Sequence, residues 1–549
     1  MAGAVIGIDV GSTSARAGVF DGYGRLLATA RHPIRTWHEP GEIVEQSSDD
    51  IWDACVRSVR EAVRESGVAV DEVRGLGFDA TCSLVTLDPR GRPLAVGPSG
   101  DPRRNVVVWM DHRATAEARQ INAGRADVLR YVGGQISPEM QTPKLLWLKR
   151  HAPATYLGAG HFLDLADFLS LRATGSDARS TCTVTCKWTY LAHERRWSDA
   201  YFEAIGLGEL NLHDHARIGR NIVEPGTALG RGLTVQAAAE LGLPPGIAVG
   251  ASLIDAHAGA IGTLGSRSDG AEADVDVCSR LAYIMGTSAC MMASTRDARF
   301  VPGVWGPYYS ALLPGLWLIE GGQSAAGAAI DHLVQSHPAS AEAAQAAARA
   351  GLDPLDWLET QVLARCERAS DSAQLAAHLH VLPEFLGNRS PYADPDARAI
   401  VAGLDLNRDL DHLERLFVAT LCGLGYGLAE VIESMRNHGV AGELIIASGG
   451  ASRSALVRQL MADTTGLTIA QAATAEPVLL GAAMLGAVAA GRYPDIPSAM
   501  RAMSRLGGIT RPSPALAGLH ARKRRAHAVL RRTDRELRAA MAGAVPLAD

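Results

Sequence analysis

The first hundred residues alternate between apolar runs and short polar turns. AVIGIDVGSTSARAGVFD contains two apolar, β-rich runs joined by Gly-Ser-Thr, which predicts a β hairpin with a glycine at its tip. GRLLATARHPI predicts a third strand. SSDDIWDACVRSVREAVRESG predicts a helix, because its apolar residues recur at helical spacing after cap candidates at Ser47 to Asp50. VRGLGFDATCSLVTLD then predicts strand, turn and strand, so the pattern indicates an α/β fold.

The same pattern restarts half a chain later. SRLAYIMGTSACMMAST again has an apolar run, a Gly-Thr-Ser turn and an apolar run. Two such hairpins indicate an internal duplication, and a length of 549 residues also favours two domains. We predict an N-terminal domain over residues 1–260 and a C-terminal domain over residues 278–549. The polar, acidic segment LGSRSDGAEADVDVCSR is expected to be a surface loop in the join.

Two stretches in the second half of the chain are predicted to be mainly helical. Residues 335–380 are rich in alanine and predict helices, and helices are again expected after Gly491. The chain ends in the basic stretch ARKRRAHAVLRRTDRELR. A run of charge on a helix usually faces solvent, so we favour a solvated face over a surface for nucleic acid or an anionic membrane.

Composition and charge exclude several classes of protein. The net charge of −6 gives no electrostatic case for nucleic acid as a partner. Met1 to Asp9 resembles a strand and not a secretory signal, and no window approaches the run of about 20 apolar residues that spans a bilayer, so no membrane is expected. The eight cysteines are scattered, which favours reduced thiols and a cytoplasmic location.

Two further residue types bear on candidate chemistry. The one close cysteine pair, Cys182 and Cys186, has no matching His or Cys cluster nearby in the sequence, so no zinc site is predicted. Only four of the 53 Lys and Arg residues are lysines, which makes an individual lysine such as Lys187 more informative than usual.

The hairpin tips are candidate phosphate-binding elements. A glycine lets backbone N–H groups approach a phosphate chain closely, and neighbouring hydroxyls add donors. The first tip has Gly11, Ser12 and Thr13, and the second has Gly286, Thr287 and Ser288. Asp9, just before the first tip, could hold Mg²⁺ through water. Two ordinary hairpins are the alternative.

A third candidate element is a glycine turn between a strand and a helix. GELIIASGGASRSALVRQLMADTTG predicts a strand, a turn at Gly449, Gly450 and Ala451, and then a helix. Such a turn lets a phosphate or flat ring lie against backbone at the helix start. The alternative is a tight turn without a ligand. No GxxxxGK[ST] and no GxSxG motif occurs, so Walker-type kinases and α/β hydrolases are excluded.

One acid stands at the end of a predicted strand. PPGIAVGASLIDAHAGAIG predicts a strand followed by a helix, and Asp255 lies at the carboxyl end of the strand, where open α/β sheets bind ligands. A helix N-terminus favours the carboxylate anion, which suits a general base. A helix N-cap without chemistry is the alternative. His112 and His257, near interesting acids, are expected to be structural.

These motifs together resemble the FGGY carbohydrate kinases over essentially the whole chain. The resemblance rests on VIGIDVGSTSARAGVFD, GLGFDATCS, VVWMDHRA, GASLIDAHAGAIG, MGTSACMM, IEGGQSAAGAAIDH, FLGNRSPYADPDARAIVAGL and IIASGGASRSALVRQL. WMDHRA, EMQTPKLLWLKR and CKWTY are most similar to the ribulokinase-like branch and, within it, to the D-ribulokinase type.

The resemblance implies a fold and a set of site residues. It implies an actin-like ATPase fold, with two ribonuclease-H-like domains around a central cleft, the first mainly for sugar and the second mainly for ATP. Asp255 matches the family's catalytic base. The implied sugar residues are Thr81, Asp111, Lys187, Asp255 and Glu320. The implied nucleotide residues are Gly11, Ser12, Thr13, Arg16, Gly286, Thr287, Ser288, Gln323, Gly327, Asn388, Gly449, Gly450 and Ala451.

The function expected from this resemblance is transfer of the γ-phosphoryl group of MgATP to a terminal hydroxyl of a pentulose. D-ribulose is the first choice, and L-ribulose, ribitol and xylulose are alternatives. An actin-like or chaperone-like ATPase switch that binds protein partners is a different class of function, and a catalytically silent sugar sensor is another. Small-molecule sugar and ATP are the expected partners, and similar kinases are commonly homodimers.

Overall fold

The chain folds around two large mixed sheets, and the computed structural model describes residues 3–267 and 275–542. The first sheet has five strands, in the spatial order Ala248–Ile254, Val73–Ala80, Ala4–Val10, Ser14–Phe20 and Leu26–Pro33. The first three strands in this order are parallel, and the remaining pairs are antiparallel. The predicted hairpin and third strand are confirmed.

The second sheet repeats this arrangement and adds a strand at each edge. Its order is Trp305–Tyr309, Trp317–Gln323, Ala289–Thr295, Arg280–Met285, Leu444–Ser448, Thr468–Ala472 and Leu506–Thr510. Followed from Thr468–Ala472 to Trp317–Gln323, the five inner strands match the first sheet in order and in direction: two parallel pairs are followed by two antiparallel pairs. The internal duplication predicted from the two hairpins is therefore confirmed.

Smaller sheets complete the strand content of the described residues. A third, five-stranded sheet has the order Thr36–Glu39, Ile43–Gln46, Val106–Val107, Leu84–Leu87 and His161–Asp164. Two short pairs join Arg179–Ser180 to Ile222–Val223 and His380–Leu382 to Ile400–Ala402. Leu84–Leu87 is the second strand predicted from VRGLGFDATCSLVTLD.

Helices cover the sheets. In the first half they are Ser48–Ser66, Thr115–Ala123, Gln141–His151, Pro153–Gly158, Leu165–Thr174, Thr181–Trp188, Asp199–Ala204, Leu212–His215, Val235–Leu241 and Asp255–Leu264. In the second half they are Gly327–Ser336, Ser340–Ala350, Pro354–Ala364, Leu410–Asn437, Ala455–Thr465, Pro477–Ala489, Ile496–Met503 and Ala517–Met541. The side chain of Ser47 accepts a hydrogen bond from the backbone N–H of Asp50, as the predicted N-cap.

Helix Pro477–Ala489 packs on the first sheet although it lies late in the chain. A Cβ atom on Gly7 or Gly77 would lie 1.9 Å from a carbonyl oxygen of this helix, and one on Gly481 would lie 1.9 Å from the carbonyl oxygen of Ala258. Only glycine permits such close approach of backbones. The helix therefore ties the second half to the sheet and helix that position Asp255. The domain boundaries given above stay a prediction.

The C-terminal region differs from the prediction in two respects. Strand Leu506–Thr510 pairs with Thr468–Ala472 within a stretch expected to be helical. The basic helix Ala517–Met541 exposes Arg522 and Arg525 but also buries one face, which includes Lys523 and Arg531 and which the prediction of a solvated face did not include. The ammonium of Lys523 donates to backbone carbonyls of Ala376 and Leu379, which satisfies the buried charge with hydrogen bonds.

Helix Leu410–Asn437 is long and apolar enough to cross a membrane by length and composition. Its most apolar window of 18 residues has a mean hydropathy of 1.5. The expectation that no window approaches a membrane-spanning run was therefore wrong. However, 83% of that apolar window is buried inside the protein, as in a core helix.

Residues 268–274 of the polar segment expected in the join lie outside the described residues.

Candidate active site

The two hairpin tips face one cavity of about 290 Å³, here called the main cavity. Most of the residues predicted from the sequence line it: Asp9, Gly11, Ser12, Arg16, Thr81, Lys187, Asp255, Gly286, Thr287, Ser288 and Glu320. They come from both large sheets and from the helices after them. The fold thus brings together groups that lie more than half a chain apart.

The first hairpin carries an ion pair beneath its tip. Asp9 and Arg16 are cross-strand partners, and Arg16 Nε donates to Asp9 Oδ2 at 2.7 Å. Arg16 also donates to Glu476 Oε2 at 2.7 Å, from the turn before helix Pro477–Ala489. Burial opposes the charge of Arg16, but Asp9 and Glu476 raise its pKa above the ordinary value. The Asp9 carboxylate is therefore held in place at the wall of the main cavity.

A second carboxyl group lies behind Asp9. Asp79 is the register partner of Asp9 on the neighbouring parallel strand and is fully buried. Burial and then the charge of Asp9 raise the pKa of Asp79 well above its ordinary value. Neither oxygen of Asp79 receives a hydrogen bond from an N–H or hydroxyl group of the described residues. The sequence analysis did not single out this residue, although it lies in GLGFDATCS.

The second hairpin tip is held by backbone contacts from the helix behind it. The N–H groups of Ala326 and Gly327 donate to the carbonyls of Thr287 and Gly286, both at 2.9 Å. A Cβ atom on Gly327 would lie 2.7 Å from the Gly286 carbonyl oxygen, which explains the glycine. Thr287 is exposed, and Ser288 is partly exposed. The tip is thus fixed from behind and accessible from the main cavity.

Asp255 is the first residue of helix Asp255–Leu264 and directly follows strand Ala248–Ile254. Its Oδ1 accepts the backbone N–H of Ala256 at 2.7 Å, and Ile254 occupies the N-cap position. Burial and the nearby charge of Asp9 raise the pKa of Asp255 to about 6. A carboxyl with this pKa is mostly ionised at pH 7 and can still accept a proton, as a general base must.

A buried pair of opposite charges lines another part of the main cavity. Lys187 lies in the last turn of helix Thr181–Trp188, and its Nζ lies 4.6 Å from the ring centroid of Trp305. Glu320 belongs to strand Trp317–Gln323. Burial alone would raise the pKa of Glu320, but Lys187 and His257 lower it to about 2. Both side chains are charged at neutral pH and can bind polar oxygens of a ligand.

Several residues of the main cavity were missed by the sequence analysis. They are Cys82, Trp109, Glu139, Cys290, Trp305 and Arg389. Arg389 lies 3.8 Å from Glu139, and Arg389 with His112 lowers the pKa of the partly buried Glu139 to about 2. Arg389 directly follows the predicted Asn388 in FLGNRSPY, and Cys82, Trp109, Cys290 and Glu139 also lie in the motifs quoted above, which was the available signal.

Asp111 lies outside the main cavity. Its carboxylate accepts hydrogen bonds from the guanidinium of Arg113, the closest at 2.7 Å, and from the backbone N–H of Val44 at 2.6 Å. It is fully buried among these donors. Asp111 therefore orders the wall behind the cavity in this structure, and direct contact with a ligand would require these bonds to break.

The remaining predicted nucleotide residues are spread over nearby positions. Gln323 and Asn388 line a small cavity that shares Arg389 with the main cavity, and Gly449 lines another cavity of about 170 Å³. Gly450 is exposed and begins, with Ala451, a short 3₁₀ turn. Thr13 is exposed at the first tip and does not line the main cavity. Their contact with a nucleotide stays a prediction.

Comparisons with known proteins identify the family of the chain. Residues 4–262 match the N-terminal domain of the FGGY family of carbohydrate kinases, and residues 281–490 match its C-terminal domain. An FGGY carbohydrate kinase domain-containing protein of Danio rerio is 49% identical, over 94% of this chain and 95% of the relative. The D-ribulokinase of Saccharomyces cerevisiae is 37% identical, over 88% of this chain and 71% of the relative.

Solved structures show the same fold. The xylulose kinase of Rhodospirillum rubrum is 23% identical with a TM-score of 0.77, covering 97% of this chain and 99% of that one. The glycerol kinase of Plasmodium falciparum, with ADP, is 14% identical with a TM-score of 0.76, covering 96% and 98%. With both family domains matched in order along the chain, this protein is a member of the FGGY family of carbohydrate kinases and has its two-domain, actin-like ATPase fold.

Proposed function

We propose that this carbohydrate kinase phosphorylates a pentulose, with D-ribulose favoured, at its terminal hydroxyl, giving ribulose 5-phosphate and ADP. The single observation that carries the proposal is that Asp255 shares one cavity with both hairpin tips. Similarity to the D-ribulokinase of Saccharomyces cerevisiae supports the choice of sugar. Several ribulokinases of bacteria are similar at lower identity, about 30%, which keeps L-ribulose as the next candidate.

The sugar is proposed to lie against the charged wall of the main cavity. Lys187 would donate to sugar oxygens and Glu320 would accept from hydroxyl groups, while Thr81 adds a hydroxyl, which lies 3.0 Å from that of Ser83. Buried charges of this kind recognise hydroxyl positions strictly, because a wrong epimer would leave one of them unpaired. Trp305, beneath Lys187, offers an apolar face for the carbon chain.

Asp255 is proposed to accept the proton of the attacking hydroxyl. Its raised pKa brings it closer to the working pH, which improves proton transfer while most of the group stays ionised. The hydroxyl then attacks the γ-phosphorus, the bond to the bridging oxygen of ADP breaks, and the proton leaves on Asp255. Positioning and electrostatics are expected to supply most of the acceleration, as is general for phosphoryl transfer.

The triphosphate is proposed to lie between the two hairpin tips. The backbone N–H groups at Gly11 and Gly286 and the hydroxyls beside them would bind its oxygens. The Arg16 guanidinium, at the same wall, adds positive charge. The cavity around Gly449 suits the adenosine end, since a glycine turn before a helix lets a ring lie against backbone.

The carboxylates of the first sheet fit Mg²⁺, which prefers oxygen ligands and keeps several waters. Asp9 would hold the ion through water, and the buried Asp79 behind it has oxygens that no described N–H or hydroxyl group satisfies. When bound, Mg²⁺ supplies positive charge that offsets the charge of the phosphates. We also propose a cytoplasmic location and a homodimer, the former supported by eight free cysteines.

An ADP-release assay with a panel of sugars tests the proposal. D-ribulose should give the highest kcat/KM, ahead of L-ribulose, ribitol and xylulose, and release without sugar should be at least about a hundredfold slower. Preference for another sugar of the panel would move the substrate but keep the kinase. Hydrolysis of ATP that does not depend on any sugar would contradict the proposal and favour the ATPase switch.

A further inference from the structure

A cluster of soft ligand atoms lies outside the main cavity. The Sγ atoms of Cys182 and Cys186 and Nδ1 of His257 all lie within 4.8 Å of one another, and the three residues are buried. In the sequence, the two cysteines alone do not form a metal-binding motif. The fold completes the cluster by bringing a histidine from a different helix, far along the chain.

Local structure explains why the three side chains converge. Cys182 and Cys186 are four residues apart on helix Thr181–Trp188, so their side chains share one face of the helix. His257 lies in the first turn of helix Asp255–Leu264, and its Nδ1 is 2.9 Å from Cys182 Sγ. Two packed helices therefore present three ligand atoms to a common point.

The other nitrogen of His257 has the partner that a metal-binding histidine usually has. Nε2 lies 3.3 Å from Glu320 Oε2, while Nδ1 faces the thiols. Histidine ligands of metals commonly donate their second N–H to a carboxylate, which fixes the tautomer and leaves the first nitrogen free for the ion. The contacts from Cys182 to His257 and from His257 to Glu320 thus match those of a metal-binding histidine.

We infer that Cys182, Cys186 and His257 form a binding site for a thiophilic divalent cation of the Zn²⁺ class. Two thiolates would balance the charge of the ion. Zn–S bonds of about 2.3 Å and Zn–N bonds of about 2.0 Å in a tetrahedral site separate ligand atoms by roughly 3.5–3.8 Å. Cys182 and His257 would move apart slightly on binding. No fourth His, Cys, Asp or Glu joins the cluster among the described residues, so water would complete the coordination.

The site is linked to the main cavity through shared residues. Glu320, which holds His257, lines the main cavity, and so does Lys187, the residue after Cys186. A bound ion would fix the His257 ring and thereby the orientation of Glu320. This consequence rests on the proposed function, because it predicts a lower KM for the sugar in the metal-loaded protein. Binding of the ion itself does not depend on it.

A metal titration of the full-length chain tests the site directly. The protein is reduced, stripped with a chelator and titrated with Cd²⁺, following the charge-transfer absorption of Cd–thiolate bonds in the ultraviolet, and then with Zn²⁺ in competition. One equivalent of Cd²⁺ should bind with this absorption, and Zn²⁺ should displace it. The absence of stoichiometric binding by the wild-type chain would overturn the inference without the need for any variant.

Variants assign the ligands. Cys182→Ser and Cys186→Ser should each weaken binding at least tenfold, whereas Cys422→Ser, a buried cysteine on helix Leu410–Asn437, should leave it unchanged. Circular dichroism selects the variants that fold, and Cys186→Ala serves as the second choice at that position. Full binding in a folded double variant of Cys182 and Cys186 would refute the site. Metal binding without any sugar kinase activity would fault only the proposed function.

Discussion

The two hairpins differ at the second cross-strand pair below the tip. In the first hairpin this pair is the ion pair of Asp9 and Arg16, and in the second hairpin it is Ile284 and Cys290. Both tips are otherwise alike: glycine and hydroxyl residues reach the same cavity, and the strands around them have the same order. Each of the two matching hairpins thus offers backbone N–H donors, but only the first hairpin also has a pair of charged side chains.

The charge lies on the side that faces Asp255. The negative charge of Asp9 contributes to the raised pKa of Asp255, and a second acid at the place of Ile284 would add repulsion to the phosphates. Fixing the second tip instead falls to Gly327 and the backbone behind it. We therefore propose that the first hairpin takes part in phosphoryl transfer and that the second mainly positions the nucleotide.

Among variants of the two hairpins, Asp9→Asn should give the largest effect on turnover. The change removes the carboxylate that pairs with Arg16 and that we propose as the Mg²⁺ contact, so kcat should fall at least about a hundredfold. Cys290→Ser, at the register position of Arg16 in the second hairpin, should change kcat less than about threefold. Steady-state kinetics at saturating sugar and MgATP give both numbers. Equal losses in the two variants would remove the distinction between the hairpins.

Asp255→Asn should stabilise the fold at neutral pH. A carboxyl whose pKa rises from 3.8 to about 6 binds its proton more tightly in the folded state, so stability is lost as pH rises through this range. At about 1.4 kcal/mol per pKa unit, the full cost above pH 6 is about 3 kcal/mol. The variant should therefore gain about this free energy of unfolding at pH 7.5 and nothing below pH 4.

Urea unfolding at several pH values measures this difference. Asp53→Asn, on the exposed side of helix Ser48–Ser66, is the matched control and should follow the wild-type curve. A variant of Asp255 that is less stable than the wild type at pH 7.5 would show that its carboxylate is better satisfied than burial beside Asp9 implies.

Ser288→Ala should affect nucleotide binding alone. No described residue engages its hydroxyl, so it is free for a phosphate oxygen, and its loss should raise KM for ATP about three- to tenfold with kcat nearly unchanged. Ser12→Ala at the first tip should alter kcat as well, because Ser12 Oγ also accepts the indole N–H of Trp109 at 2.9 Å. A change in kcat of similar size in both variants would contradict the assignment of positioning to the second tip.

Arg531→Gln should have the smallest effect on the kinetics. This residue supports a loop on the second hairpin's side of the main cavity. Arg531 lies 3.2 Å from Glu384, whose Oε1 accepts from Asn388 at 2.7 Å, next to Arg389 in the main cavity. Loosening this loop should raise KM for the sugar about two- to fivefold. Arg532→Gln, one residue on and exposed, is the control and should have no effect. Identical kinetics in both variants would mean that the C-terminal helix does not order the loop.

Local pattern was enough to predict the parts of the site that lie on regular elements. The hairpins, the strand before Asp255 and the helix after it follow from hydrophobic spacing and glycine positions, and the repeated sheet follows from the repeated hairpin. Each of these features is specified within about 20 residues of sequence. Asp9 and Asp255 could therefore be singled out before the cavity was known.

Features that depend on packing between distant segments could not be predicted in this way. Glu139 and Arg389 come from loops that meet only across the main cavity. His257 completes the cysteine cluster from another helix. The basic C-terminal helix resembles a solvated one in composition, yet Lys523 and Arg531 are buried because distant carbonyl and carboxylate groups pair with them. Strand Leu506–Thr510 has two glycines, and pairing with its neighbour determines its conformation.

The most direct test of the central claim is the turnover of Asp255→Asn beside its sugar affinity. We expect sugar-dependent ADP release to fall by about 100- to 10,000-fold, as on loss of a general base, while the dissociation constant for the sugar, measured by calorimetry, changes less than about threefold. Turnover within tenfold of the wild type would contradict the account, because the carboxylate opposite the hairpins would then not accept the proton.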